Sequence, residues 1–436
     1  MSEAEFGKLT LLLLLLVGMA HLLGHLFTRL RQPRVIGEIL AGVLIGPSLL
    51  GRMAAHGHLW SASGPVDVAL KVLYNLGLLL LMFLSGAEAR RLFGASDRRP
   101  AMWIALVGTA VPFLIVMAAS PHLPMGAFMG KAQSEAALAL IVSIAAAVTS
   151  IPVISRIFHD LKILHTRFAR VVLGAAVLED LALWGVLAVA TSLAGAAVVS
   201  VTQIGAHVLG TVLYFLVGLL IAPPVLRWIH YHRNNFLFAA SPLGYVVVVL
   251  FAYTSLAAAM QVSMVFAAFL AGFAIACEPE LFREAVEALS RTSYALFIPI
   301  YFAVVGYRLD LSHGFSWKLL LVFLLGSSAL KMASAGLGAR LAGFRGLDTV
   351  NLAIATNARG GPGIVIASVA YDAGIISSVF YTTLVITAVL TSQAAGAWLD
   401  HVLRRGMPLL EPSFAGSSLP GILPQTSASV AVESGE

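Results

Sequence analysis

The sequence predicts an all-α polytopic membrane protein of about 13 transmembrane helices, built as two inverted six-helix repeats joined by a connecting helix. Three observations predict it. Of 436 residues, 59% are hydrophobic and only 11% are charged, whereas a soluble domain carries roughly 25% charged residues. The apolar runs approach or exceed the roughly 20 residues that a helix needs to cross a bilayer. Basic residues also alternate between the two sides of successive runs, as a multi-span topology requires.

Taken in order, the apolar segments span roughly 9–28, 35–51, 68–89, 101–119, 135–158, 168–195, 203–229, 237–259, 262–277, 286–307, 316–341, 348–371 and 375–403. The first follows Glu3 and Glu5 and precedes basic residues, a pattern of a retained spanning helix rather than a cleaved leader. The segment at 35–51 is short and that at 262–277 is marginal. With the N-terminus outside, nineteen of the 27 Lys and Arg residues fall in loops placed inside, from Arg29, Arg31 and Arg34 to Arg404 and Arg405. Six fall outside, and Lys331 and Arg359 fall within spans. The alternation holds to the end, so the C-terminus is expected in the cytoplasm and the protein in the inner (plasma) membrane. The formal charge of +6 is thus topological and predicts no nucleic-acid partner. Residues 1–405 form the transmembrane part. The tail, 406–436, is rich in Pro, Ser and Gly and reads as disordered. The single cysteine, Cys277, excludes an internal disulfide and a cysteine-based metal site.

Seven spans separate the first helix from the eighth, so the two would start on opposite sides of the membrane, as inverted repeats do. The fifth helix of each half carries a candidate break. In the first half it is Ala147-Val148-Thr149-Ser150-Ile151-Pro152; in the second it is Asn357-Ala358-Arg359-Gly360-Gly361-Pro362-Gly363. Proline removes a backbone donor, and unpaired backbone at membrane depth is tolerated only inside protein or beside a wet cavity.

Ionisable residues at that depth are costly and usually functional. Glu179 and Asp180 sit mid-way along the sixth span. Adjacent helical positions point about 100° apart, so one carboxylate can face a cavity while the other faces a neighbouring helix. Two such groups in low dielectric resist simultaneous ionisation. One can hold a proton near neutral pH and release it to an arriving cation. Lys331 requires a carboxylate partner, and Glu179 is the candidate. Arg359 lies inside the second break, where its charge would neutralise the C-terminal carbonyls of a half-helix. Thr149 and Ser150 offer hydroxyl oxygens at the first break, and Asn357 an amide oxygen at the second. His21 and His25 are four apart but have no third ligand nearby, so they read as packing or interfacial groups. Glu38 reads as a capping or interfacial acid, and His159 and His165 as loop residues able to tune a pH response. No enzyme signature competes: there is no H-E-x-x-H, phosphate-binding glycine loop or serine elbow. Neither a cofactor nor a metal other than a transported monovalent cation is expected.

Pro33-Arg34-Val35-Ile36-Gly37-Glu38-Ile39, followed by Gly42, Gly46-Pro47 and Gly51, resembles the second helix of bacterial monovalent cation/proton antiporters, in the branch of sodium/proton exchangers and potassium-efflux antiporters. Leu76-Gly77-Leu78 through Gly86-Ala87-Glu88 is similar to the third helix of that family. Pro299-Ile300-Tyr301-Phe302 with Gly306 and Asp310 resembles its tenth, and Asn357 to Ile366 its Arg-Gly break. The resemblance covers about residues 9 to 403. It implies exchange of Na⁺ or K⁺ for protons by an elevator motion, in a homodimer surrounded by lipid. Scaffold and dimer helices would lie at about 9–89 and 237–307, and core transport helices at about 101–195 and 316–403. Asp180 matches the ion-binding aspartate of the family, and Lys331 the lysine of its electrogenic members. Glu179 departs from the family's usual Asp, Asn or Gln, keeping an acid with one more methylene. The glycine-proline after Arg359 departs from the more usual acidic residue. The potassium-efflux members carry a cytoplasmic nucleotide-binding domain, for which this chain is too short. Three alternatives use the same helices: a cation channel or efflux pore, a non-transporting sensor or scaffold, and an exchanger of organic solutes.

Overall fold

A computed structural model describes residues 2–30, 32–46, 64–92, 98–195, 201–231, 236–260, 262–309 and 315–411. Pro47, Gly51 and Asp310, and the tail beyond 411, lie outside the described residues. The described chain is helical throughout, apart from loops and one isolated bridge between Met129 and Ile376.

The helices, in chain order, are α1 (Glu3–Arg29), α2 (Arg34–Ile45), α3 (Pro65–Leu92), α4 (Arg98–Ala119), α5 (Glu135–Ala147), α6 (Ile151–Asp160), α7 (Arg167–Gly195), α8 (Val201–Leu216) and α9 (Ala222–Tyr231). They continue as α10 (Phe236–Ala240), α11 (Pro242–Ala259), α12 (Met264–Ile275), α13 (Pro279–Thr292), α14 (Ile298–Tyr307), α15 (Trp317–Leu341), α16 (Gly346–Ala355), α17 (Gly360–Asp372) and α18 (Ser378–Arg404). Wide i→i+5 turns at Val217–Ile221 and Ser293–Phe297 carry α8 into α9 and α13 into α14. Local chemistry sets several starts. Ser2 and Glu5 exchange side-chain-to-backbone bonds at the head of α1, and Ser134, Ser150, Ser241, Ser316 and Ser377 cap the helices that follow them.

Among the described residues, nine helices are long and apolar enough to cross a membrane. Two of the expected spans do not run unbroken. The segment at 135–158 is split into α5 and α6, and that at 348–371 into α16 and α17. The segment at 262–277 becomes the 12-residue α12.

The helices pack in two groups. In one, α2 crosses α14 and α3 crosses α12, each with backbone against backbone. A Cβ on Gly42 would collide with the Ala303 carbonyl oxygen, and one on Gly306 with that of Ile39. Gly86 meets the Phe269 carbonyl and Gly272 that of Phe83 in the same way. Only glycine permits such an approach. In the other group, α4, α7, α15 and α18 surround the two interrupted helices, α5–α6 and α16–α17. A cavity of about 710 Å³ separates the groups at one end, lined by Glu38, Ser85, Glu88, His159, Trp184 and Gly361 among others.

Candidate functional site

The two interruptions meet. α5 stops at Ala147, and Val148 to Ser150 run extended before α6 begins with Pro152 in its first turn. α16 stops at Ala355, and α17 begins at Gly360. Several freed backbone groups of one break are satisfied by the other. Ser150 N–H donates to Ala358 O at 2.7 Å, and the Thr149 hydroxyl donates to Thr356 O. Ser150 Oγ accepts from Gly361 N–H at 3.1 Å and from its own helix at Val153. α18 supplies two further acceptors: Ser392 Oγ takes the Gly360 N–H at 3.0 Å, and Thr391 Oγ1 the Arg359 N–H at 3.4 Å. A Cβ on Gly360, whose φ is +26°, would strike Val153 and Ser150, so glycine is required where the two segments touch. Two helix N-termini and two C-termini thus converge, with partial charges of roughly half a unit each.

Beside this crossing α7 carries Glu179 and Asp180, both buried. Lys331, 0% exposed on α15, donates to three acceptors, matching its three ammonium hydrogens. They are Glu179 Oε2 at 2.9 Å, Ala147 O at 2.6 Å and Gly108 O at 3.0 Å. Each carbonyl is free for a local reason. Ala147 ends α5, so its helix continues no further. Gly108 lies four residues before Pro112 inside α4, and proline has no N–H to give it. Asp180 differs from its neighbour: it is 0% exposed, and neither carboxylate oxygen has a hydrogen-bond partner among the described residues.

Arg359 is buried without a paired carboxylate among the described residues. Its guanidinium donates to Ser327 Oγ at 2.7 Å and Asn357 Oδ1 at 3.4 Å, and it lies 5.9 Å from the Phe323 ring centroid. Of the two buried cations it is Lys331 that bonds a half-helix end carbonyl directly, at Ala147 O, because α15 passes beside the end of α5. Asn357 is accordingly engaged with Arg359.

The large cavity ends one turn from the acids: Trp184, four residues after Asp180, is part of its wall. A smaller apolar cavity of about 360 Å³ between α4 and α7 reaches Glu179. Glu38, read as a capping or interfacial acid, is buried and paired with Arg34 at 2.8 Å. Arg34 in turn donates to His21 Nδ1, whose Nε2 faces Ala295 O at 2.8 Å. His21 is therefore a packing group tying α1 and α2 to the turn before α14. No cluster of three metal-ligating side chains occurs among the described residues. Sequence reasoning missed Gly108, Thr391 and Ser392; the signal for Gly108 was Pro112, four residues on.

A family profile described as "Sodium/hydrogen exchanger, transmembrane" matches residues 11–405. The chain is 28% identical over 390 residues to Cation/H(+) antiporter 18 of Arabidopsis thaliana, covering 87% of this chain but only 47% of that protein. It is 27% identical over 405 residues to the Na(+)/H(+)-K(+) antiporter GerN of Bacillus cereus, covering 92% of this chain and 96% of that one. The solved structure of the sodium proton antiporter MjNhaP1 from Methanocaldococcus jannaschii superposes with a TM-score of 0.55 at 16% identity, over 92% of this chain and 99% of that one. The last likeness concerns the fold.

Proposed function

Because this chain belongs to the sodium/hydrogen exchanger family of multi-span membrane transporters, we propose that it exchanges a monovalent cation, Na⁺ or K⁺, for protons across the plasma membrane. Asp180 carries the reading. A fully buried carboxylate with two unpaired oxygens is strongly disfavoured as a bare anion. A proton satisfies it, and so does a cation coordinated by its oxygens, and the two exclude each other. Exchange follows from that competition. Thr149, Ser150 and the carbonyls at the crossing are the nearby hard oxygens suited to such a cation.

Glu179 and Lys331 act as the second element of the cycle. Their pair balances charge in the dry interior while Asp180 is neutral. When the cation displaces the Asp180 proton, the new negative charge beside Glu179 is offset by the ion itself. Lys331 keeps its two carbonyl acceptors whether or not Glu179 is ionised, so the pair can open without leaving an unpartnered ammonium. Loss of the Lys331 proton once the pair has opened would move a further charge in each cycle, and that is the electrogenic element of the reading.

The reading includes an elevator motion. The core, α4–α7 and α15–α18, would slide as a body against a scaffold made of α1–α3 and α11–α14. The scaffold would form the contact of a homodimer. The matched glycine crossings, α2 on α14 and α3 on α12, support two inverted repeats, because those pairs exchange under the repeat symmetry. The N-terminus lies outside and the C-terminus in the cytoplasm, by the placement of the basic loops.

The experiment is cation-driven dissipation of a pH gradient in proteoliposomes, with Na⁺ and K⁺ tested separately and with an imposed voltage. Exchange by the native chain and its loss in Asp180→Asn are expected. Exchange that persists unchanged in that variant would exclude Asp180 as the shared site. A rate insensitive to voltage would remove the electrogenic element.

A further inference from the structure

At the face opposite the large cavity, aromatic and charged side chains join the two groups of helices. Asp372, the last residue of α17, receives two hydrogen bonds. Arg308, just past α14, donates to its Oδ1 at 2.7 Å, and Tyr74 of α3 donates to its Oδ2 at 3.0 Å. The Arg308 guanidinium also lies over the Tyr74 ring, 4.3 Å from its centroid. Nearby, the Tyr381 hydroxyl of α18 donates to Val305 O of α14 at 3.0 Å. Tyr74 stacks on Tyr301, with ring centroids 5.2 Å apart, and Tyr371 stacks on Tyr381 at 4.9 Å.

Helix geometry separates this cluster from the cavity. On α3, Tyr74 lies seven residues before Leu81, the first residue of that helix to line the cavity, a span of about 10 Å at 1.5 Å per residue. On α17, Val365 is the last residue to line the cavity, and Asp372 lies about 10 Å further along the same helix. The two groups of helices are therefore parted at one end, where the cavity reaches the crossing at Val153 and Gly361, and bonded at the other.

We propose that Arg308, Asp372, Tyr74 and Tyr381 form a gate that closes the pathway to Asp180 on the face opposite the cavity, and that it must open whenever Asp180 is presented there. The inference rests on the exchange reading and adds positioning residues to it. The contacts bridge groups that the exchange cycle has to move apart, so they exist in one of its two states only. Contacts made in one state alone set the balance between the states. These are also strong ones. An ionised carboxylate with both oxygens bonded, one of them by a guanidinium, is held by charge-assisted bonds about twice as strong as neutral ones. Tyr74 is 1% exposed, while the Arg308 and Asp372 side chains are 21% and 39% exposed, so the ion pair sits at the water-facing rim of the contact and the tyrosine on its inner side. The ends of the gate are anchored on opposite partners: Tyr74, Val305 and Arg308 on α3 and α14, Asp372 and Tyr381 on α17 and α18.

The test uses the full-length protein in nanodiscs, with Cys277→Ser and one reporter cysteine at a time. Leu78→Cys, one turn inward from Tyr74, reports on the gated face; Ser85→Cys reports on the cavity. Each is reacted with a charged, membrane-impermeant thiol reagent. Adding Asp372→Asn is expected to raise labelling at Leu78→Cys by about tenfold and to lower it at Ser85→Cys. A tenfold shift corresponds to about 1.4 kcal/mol. The exchanged pair Arg308→Asp with Asp372→Arg is expected to bring both rates back toward those of the native gate. Labelling at Leu78→Cys that does not rise, or a rise at both reporters together, would overturn the gate, since the latter marks general loosening rather than a change of open side. The readout does not involve Asp180. If Asp180→Asn leaves exchange intact while the reporters still move oppositely, the exchange reading fails and the gate stands.

Discussion

Two cations lie buried at the crossing, and their surroundings differ. Lys331 meets a carboxylate and two backbone carbonyls. Arg359, in the same part of the core, meets a hydroxyl, an amide oxygen and an aromatic face. The first has a charge partner that can take up a proton; the second has only neutral partners. Lysine is the side chain whose charge state responds to its surroundings, whereas guanidinium stays charged. The difference assigns them separate tasks. In the proposed exchange cycle Lys331 belongs to the moving charge, while Arg359 supplies a standing positive charge beside the second break, where it bonds Asn357.

The largest expected effect breaks the first arrangement. Lys331→Met leaves Glu179 as a buried acid without its partner, at a cost of about 3–5 kcal/mol. It should lower the unfolding temperature of the purified protein sharply. Adding Glu179→Gln should recover most of the loss, because the pair is then replaced as a unit. Equal destabilisation in single and double variants would show that the two side chains are not coupled.

Arg359→Gln orphans no carboxylate and removes hydrogen bonds from a charged donor, worth about 1.5–3 kcal/mol. The smaller thermal shift should come with a changed apparent cation affinity in exchange assays, because the standing charge is gone. A loss as large as that of Lys331→Met would contradict the contrast between the two cations.

Gly360→Ala tests the contact between the breaks, since the added methyl strikes Val153. Overpacking of this kind costs about 1–3 kcal/mol, and slower exchange with folded protein still recovered is the expected outcome. The mildest change is Pro112→Ala, which returns an N–H to Gly108 O. That carbonyl has two lone pairs and can serve both donors, so a stability change within about 1 kcal/mol is expected, read by the same thermal assay. A collapse of exchange there would mean that Lys331 needs this carbonyl for itself.

Much of this was legible in the chain. Pro and Gly at matching depths marked both interruptions, and the cost of a buried ammonium pointed from Lys331 to an acid on the sixth span. Those are local chemical signals. What stayed hidden was long-range. The bond from Ser150 N–H to Ala358 O joins residues far apart in sequence. Thr391 and Ser392 look like ordinary small polar residues of an apolar helix, until α18 packs against the head of α17. Glu38 reads as a capping or interfacial acid because its burial comes from helices packing around α2, not from its neighbours in sequence. The gating cluster escaped for the same reason: Tyr74, Arg308, Asp372 and Tyr381 have no common motif and meet only in the fold.

The most direct test of the shared site is proton release on cation binding. Purified protein in weakly buffered solution at neutral pH is titrated with NaCl or KCl, with choline chloride as the control. The account predicts saturable release of protons by the transported cation and none from Asp180→Asn. Cation binding without proton release, or the same release from the Asp180→Asn variant, would contradict it.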